Sequence, residues 1–311
     1  MEKQKIILSI PNLGSTFYLT EYIIEYRKQN QHKFNDDVII GSVYGNCPCI
    51  WNGGRPTENA KFNMKEIEDK VKYLNDNGIT ARFAFTNLFI TGDLVNDYTG
   101  NLVLNTVTKV QKINNDVNTG TDDLRKHIEE KYPNLNVIYS TTMCIQDIKT
   151  INKITEKNMI VPDYRLNNNF EKLKQLTHPE NIELLANESC EENCIYRKRH
   201  YENISKGNLG QAGDYPGCFW EGDRSNYYRD CKRKKHYISL ESIRKDYLPL
   251  GINKFKILGR DCVISIFVEG LVDYLIKPEY QEEVRQDLLK RVLLPEAFEK
   301  RPLQPQNIQK K

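Results

Sequence analysis

Several features are missing from this sequence, and each absence excludes a class of protein. No stretch approaches the roughly 18 unbroken apolar residues of a membrane-spanning helix. The N-terminal run Met1–Leu8 lacks both the long apolar region and the small-residue cleavage site of a signal peptide, so a cytosolic chain is expected. An excess of one charge is also absent. The 311 residues carry 45 Lys+Arg against 42 Asp+Glu, a formal net charge of +3, so any electrostatic partner must be met by a local patch. No Gly-rich phosphate fingerprint follows the first strand-like run, which weakens an open nucleotide-binding sheet. There is no Gly-x-Ser-x-Gly elbow and no His-Glu-x-x-His, which argues against a serine hydrolase and a zinc protease. The chain does have the means to build a core: 39% of it is hydrophobic and 28% charged, unlike a disordered chain. Tyr dominates the aromatics, and there are 8 Cys.

Short apolar runs alternate with longer amphipathic ones. The runs Lys5–Ile10, Val38–Val43, Thr80–Phe85, Asn136–Thr141, Met159–Asp163, Ile182–Ala186, His236–Ser239 and Lys254–Leu258 read as strands. Helical patterns follow them in turn, near Ser15–Gln29, Met64–Asn77, Asp122–Lys131, Ile145–Glu156, Asn169–Leu176, Glu191–Ile204, Leu240–Tyr247 and Ser265–Leu275. Strands that alternate with helices predict a parallel sheet. Eight units at this length predict an α/β fold, a closed (β/α)8 TIM-type barrel over residues 1–300. An open doubly wound sheet is the competing architecture. Glu279–Arg291 reads as one extra C-terminal amphipathic helix, and 301–311 as a polar tail. Three connections are unusually long: Tyr44–Asn63, Asn87–Thr121 and Glu188–Lys235. All leave the C-terminal ends of strands, where barrels keep their active sites.

Cysteine is concentrated in the third of these, a Cys-rich stretch spanning 187–235. Cys190 and Cys194 are close neighbours, and Cys218 and Cys231 follow in the same region. In a reducing compartment a disulfide framework is not expected. Four thiolates suit zinc or an iron–sulfur cluster, and the spacing is unlike a zinc ribbon. The surrounding Arg197, Lys198, Arg199, Arg229, Lys232 and Arg233 would lower thiol pKa values and favour thiolate ligands. Cys47 and Cys49 leave the second strand at the same barrel face and are a further ligand source, a redox pair or spectators. Cys144 and Cys262 read as buried thiols.

The run IELLANESCEENC, the later pair of Cys and the last strand FKILGR together resemble the collagenase-like peptidase family, number thirty-two among the unassigned peptidase families. The likeness is strongest over the second half, with Lys256, Ile257, Leu258, Gly259 and Arg260 at the family's Lys-Ile-x-Gly-Arg. Leu258 replaces a frequent acidic residue, and Asn187-Glu188-Ser189 replaces the usual His-Gly before the first Cys. The resemblance implies a barrel in which four Cys, here Cys190, Cys194, Cys218 and Cys231, hold a [4Fe–4S] cluster. It also implies oxygen-independent hydroxylation of RNA bases or quinone precursors, with prephenate as oxygen donor, and a possible partner subunit of the same family. A zinc-stabilised accessory protein is the alternative from a different class. For a true peptidase no nucleophile–base pair is legible.

Alternation places Lys254, Lys256 and Arg260 on one face of the last strand, and Phe255 and Ile257 on the other. Lys256 then points into the barrel, where Glu183 of the sixth run shares the inward face and can pair with it. Arg260, at the outlet, is the better grip for an anionic substrate. Asp163, with Arg165, leaves the fifth run, and Asn12, Asn87 and Thr142 occupy matching outlets, where each also fits a cap or turn. Lys256, Arg260, Glu183 and Asp163 are the candidate catalytic residues. His200 and His236 flank the Cys region as proton donors, ligands or surface residues. The RKRH and KRKKH runs would meet RNA phosphates or a small anion, or form a solvated face.

Overall fold

The structure is a computed structural model; it describes residues 4–14, 16–54, 63–211, 213, 227–259 and 264–293. Eight parallel strands form one sheet: β1 (Ile6–Ile10), β2 (Val38–Gly45), β3 (Thr80–Phe85), β4 (Asp116–Thr119), β5 (Asn136–Tyr139), β6 (Met159–Ile160), β7 (Glu183–Leu185) and β8 (Lys254–Lys256). Their order is β6-β5-β4-β3-β2-β1-β8-β7. A parallel bridge from Ile160 to Ile182 joins the two ends and closes the barrel. Helices α1 (Phe17–Gln29), α2 (Met64–Asp76), α3 (Tyr98–Val110), α4 (Asp122–Lys131), α5 (Ile148–Thr155), α6 (Phe170–Leu173), α7 (Arg197–Asn208), α8 (Tyr227–Arg233), α9 (Leu240–Ser242) and α10 (Ile264–Leu275) alternate with them, and α11 (Gln281–Leu293) is the extra C-terminal helix. The fold is the expected (β/α)8 barrel.

Strand alternation divides the side chains as a barrel requires. Outward residues such as Ile6, Leu8, Val43, Phe83, Val117, Leu184 and Phe255 join the large apolar core under the helices. The inward set is split. Ile138, Val161 and Leu185 form a small apolar cluster with Tyr164. Ser9, Ser42, Arg82, Asp116, Asn118, Glu183 and Lys256 make the rest of the buried interior polar. A register shift between Leu8 and Ser9 brings Ser42 opposite Ser9, and the Ser42 hydroxyl donates to the Ser9 hydroxyl at 2.7 Å.

One observed strand is not among those expected, and one of the eight expected strands is not formed. The fourth strand is Asp116–Thr119, inside the stretch read as a long loop, which also contains α3. Its sequence DVNT has no apolar run because Asp116 and Asn118 face a polar interior, so hydrophobicity cannot reveal it. Conversely, His236–Ser239 is not a strand. Its main chain is held by side chains: Asn167 Nδ2 donates to the His236 carbonyl at 2.8 Å, and Asn168 Nδ2 to the carbonyls of Lys235 and Tyr237 at 2.7 and 3.1 Å. The Tyr274 hydroxyl donates to the Ile238 carbonyl at 2.6 Å. Apart from one long-range backbone bond, from the Ile238 N–H to the Ala186 carbonyl at 2.9 Å, amide and phenol donors thus supply what a ladder partner would have supplied. No helix among the described residues is long and apolar enough to cross a membrane.

Candidate active site at the barrel mouth

The barrel interior carries a buried charge network. Arg82, 4% exposed, donates from Nη1 to both carboxylate oxygens of Glu183 at 2.8 and 2.6 Å, and its Nε donates to Asp116 at 3.1 Å. The Ser9 hydroxyl donates to Glu183. Burial alone would raise the Glu183 pKa; Arg82 and then Lys256 outweigh it and hold the carboxyl below its ordinary value. The Lys256 ammonium lies 4.0 Å from the centre of the Tyr44 ring, a cation–π contact. Lys256 and Glu183 therefore share the interior as alternation requires, but the direct ion-pair partner of Glu183 is Arg82. Its signal in the sequence is a charged residue at an inward position of the apolar run TARFAF.

Above this network, a second one spans the strand outlets. Asp163 is fully buried just beyond β6. Its Oδ1 accepts from the Arg165 backbone N–H at 3.0 Å and from Arg165 Nε at 2.7 Å, so it both caps a turn and forms an ion pair. Arg197, the first residue of α7, brings Nε to 3.2 Å from Asp163 and Nη1 to 2.9 Å from Glu188. It lies 4.4 Å from the Tyr164 ring centre and 5.1 Å from that of Tyr201. Burial would raise both carboxylate pKa values, but the guanidinium groups of Arg165 and Arg197 lower that of Asp163, and Arg197 with the Cys190 amide lowers that of Glu188. The RKRH run is thus not a solvated face throughout, since Arg197 is 3% exposed.

The thiols lie around this guanidinium. Glu188 Oε1 accepts the backbone N–H groups of Ser189 at 2.8 Å and Cys190 at 3.1 Å, which shapes the loop after β7. Cys190 and Cys194 are electrostatic neighbours, and Cys190 interacts with Arg197 and with the Tyr164 hydroxyl. Burial first, and the Glu188 carboxylate second, push the Cys190 thiol up to about 12 despite Arg197. The expectation that cationic neighbours would lower it fails because desolvation is larger. Cys144, expected to be a buried thiol, also faces this network: its neighbours are Arg197, Asp163 and Arg165, and burial pushes its thiol up to about 11. His236 is buried rather than on the surface. Its ring lies 4.5 Å from that of Tyr164, and its Nε2 is 3.0 Å from the Glu188 carbonyl oxygen. Burial lowers its pKa.

Other candidates fall elsewhere. Cys231 is buried beside Tyr274, and the nearby Lys234 ammonium pairs with Glu191 at 2.7 Å. Cys47 and Cys49 pack into the core under the helices, with Lys70 and Asp97 as charged neighbours, and burial raises both thiol pKa values. Asn87 and Thr142 are bracing groups: Asn87 Nδ2 donates to the Ile50 carbonyl at 2.8 Å, and the Thr142 hydroxyl to the Thr86 carbonyl at 3.2 Å. His200 packs edge-on against Tyr201. Arg260, Cys218 and Cys262 lie outside the described residues. Among the described residues, no three His, Cys, Asp or Glu side chains gather as a metal site. The donor chemistry there fits a soft metal at two positions, Cys190 and Cys194.

An open cleft of about 600 Å³ adjoins the thiol loop, with Tyr164, Arg165, Asn167, Phe170, Asn193 and His236 among its walls. Reading from sequence missed Glu188 and Arg82 as site residues, and it named Arg197 only as one of six cations around the Cys region. Arg197 carried one signal, its position as the first cation after the Cys pair.

Comparison with family models and with curated proteins found no match. Among solved structures, the chain is similar to the U32 peptidase Mk0906, with 12% identity over 85% of this chain and 97% of that one, and a TM-score of 0.51. A citrate synthase, SbnG, aligns with 12% identity over 83% of this chain and 87% of that one, but its TM-score of 0.29 carries no weight. At this identity the first likeness establishes one thing, that the chain has the barrel fold of a U32 peptidase.

Proposed function

We propose that the chain is an iron–sulfur enzyme related to the collagenase-like peptidases, working at the C-terminal mouth of its barrel. The observation that carries this reading is the meeting of the Cys190 and Cys194 thiols beside buried Arg197, over the outlets of β6 and β7. The U32-type fold and the FKILGR strand support it. Cys190 and Cys194, with Cys218 from outside the described residues, would hold a [4Fe–4S] cluster, which when bound supplies redox chemistry, here oxygen-independent hydroxylation; Cys231, the fourth ligand expected from the sequence, lies beside Tyr274 and does not gather with them.

The chain's own groups divide the remaining work. Lys256 would supply positive charge for an anionic substrate from inside the barrel, with Arg260, outside the described residues, as the second proposed anion grip. Asp163 and Glu183, both held ionised by guanidinium groups, are poor proton donors near neutral pH. They anchor the cations and keep the interior rigid.

The test is anaerobic purification with iron, sulfide and zinc analysis and a visible spectrum. About four irons and four sulfides per chain, as a [4Fe–4S] cluster requires, with a brown absorption lost in Cys190→Ala and in Cys218→Ala, is the expected result. Stoichiometric zinc without colour would overturn the redox reading in favour of a structural metal. A metal-free protein after reconstitution would overturn both.

A further inference from the structure

The loop that carries Cys190 and Cys194 has no regular secondary structure of its own, so something else must fix it. Ser189 and Cys190 both donate their amides to one oxygen of Glu188, at 2.8 and 3.1 Å. The other Glu188 oxygen is 2.9 Å from Arg197 Nη1, and Arg197 Nε is 3.2 Å from Asp163. Arg197 Nη2 also donates to the Thr141 hydroxyl at 3.4 Å. One guanidinium therefore ties the outlets of β5, β6 and β7 together and holds the carboxylate that shapes the Cys190 turn. The exposures of Arg197, Glu188 and Asp163 are 3%, 6% and 0%, so solvent does not compete for these contacts. A Lys ammonium is a point charge and cannot span both carboxylates with the same fork.

We propose that Arg197 is the positioning residue of the thiol site: through Glu188 it fixes the Cys190 turn, and it places a buried positive charge beside the Cys190 and Cys144 thiols. The charge role rests on the proposed cluster, whereas the positioning role does not. A cation beside a cluster stabilises its reduced form, so removing it lowers the reduction potential. A residue that only stabilised the fold would leave that potential unchanged.

The experiment uses the full chain and three variants, Arg197→Met, Arg197→Lys and Glu188→Gln. Amide hydrogen exchange of Ser189 and Cys190 reads the positioning role, and redox titration of the reconstituted protein reads the charge. Exchange at the two amides is expected to rise at least about tenfold in Arg197→Met and Arg197→Lys, the lower end of the ratio that follows from losing a hydrogen bond to a charged group. Glu188→Gln, which keeps an acceptor but loses the ion pair, is expected to raise it in the same direction and covers the case in which Arg197→Met does not fold. The potential is expected to fall in Arg197→Met and to stay near wild type in Arg197→Lys. Wild-type exchange in all folded variants overturns the positioning role. An unchanged potential in Arg197→Met overturns the charge role. If the wild-type chain takes up no cluster, the proposed function fails and the charge role with it, while the exchange measurement still decides the positioning role.

Discussion

Replacing Arg82 by methionine tests the account of the barrel interior. The side chain is 4% exposed and sits between Asp116 at 3.1 Å and Glu183 at 2.6 Å. Methionine fills most of the same volume, so the main loss is electrostatic. Removing one partner of a buried ion pair costs about 3–5 kcal/mol, because the remaining charge is left buried without compensation. A chain of this length unfolds with an entropy of about 0.65 kcal/mol/K, at about 2.1 cal/mol/K per residue, so about 4 kcal/mol lowers the midpoint by about 6 °C. Calorimetry and urea denaturation at pH 7 would measure it. The pH dependence carries the sign. The Glu183 pKa is held below its unfolded value, so its contribution is present above the unfolded pKa and is lost as pH falls through the folded one. The deficit of Arg82→Met should therefore be largest near neutral pH and shrink in acid. Adding Glu183→Met should recover about half of it by removing the stranded carboxylate. A midpoint within about 1 °C of wild type at pH 7, or a deficit independent of pH, would refute the reasoning.

Three further outcomes can be checked by denaturation. In Gly100→Ala the added methyl would fall 2.3 Å from the Trp51 ring, whose exposure is 0%, so overpacking of about 1–3 kcal/mol should outweigh the better helix propensity of Ala. Asn167→Ala removes donors to the carbonyls of Leu185 and His236, at 2.7 and 2.8 Å; a loss of about 1–3 kcal/mol and faster proteolysis near 235–239 are expected. Thr121→Ala removes the N-cap of α4, whose hydroxyl accepts from the Leu124 N–H at 3.3 Å, at a cost of about 1 kcal/mol. A stabilised Thr121→Ala would show that another group caps the helix.

The closing of the barrel rests on the bridge from Ile160 to Ile182, whereas seven of the eight strands, most of the helices between them and the facing of Glu183 and Lys256 into the interior follow from the sequence alone. They rest on periodicity, which is local: apolar residues every second or every third to fourth position decide which face is buried. The clustering of Cys190 with Cys194 is local too, since four positions of chain keep them near each other. What periodicity cannot see is a strand whose inward face is polar, which is why Asp116–Thr119 was hidden and the apolar His236–Ser239 looked like a strand. Only the tertiary structure decided that Arg82 pairs with Glu183 across the barrel, that Cys144 reaches the mouth and that Arg197 is buried while Lys198 remains 70% exposed in its side chain. The reason is the same in each case. A charge can be buried only where opposite charges and hydrogen bonds meet it, and for Arg197 those partners, Asp163 and Glu188, come from the outlets of two different strands.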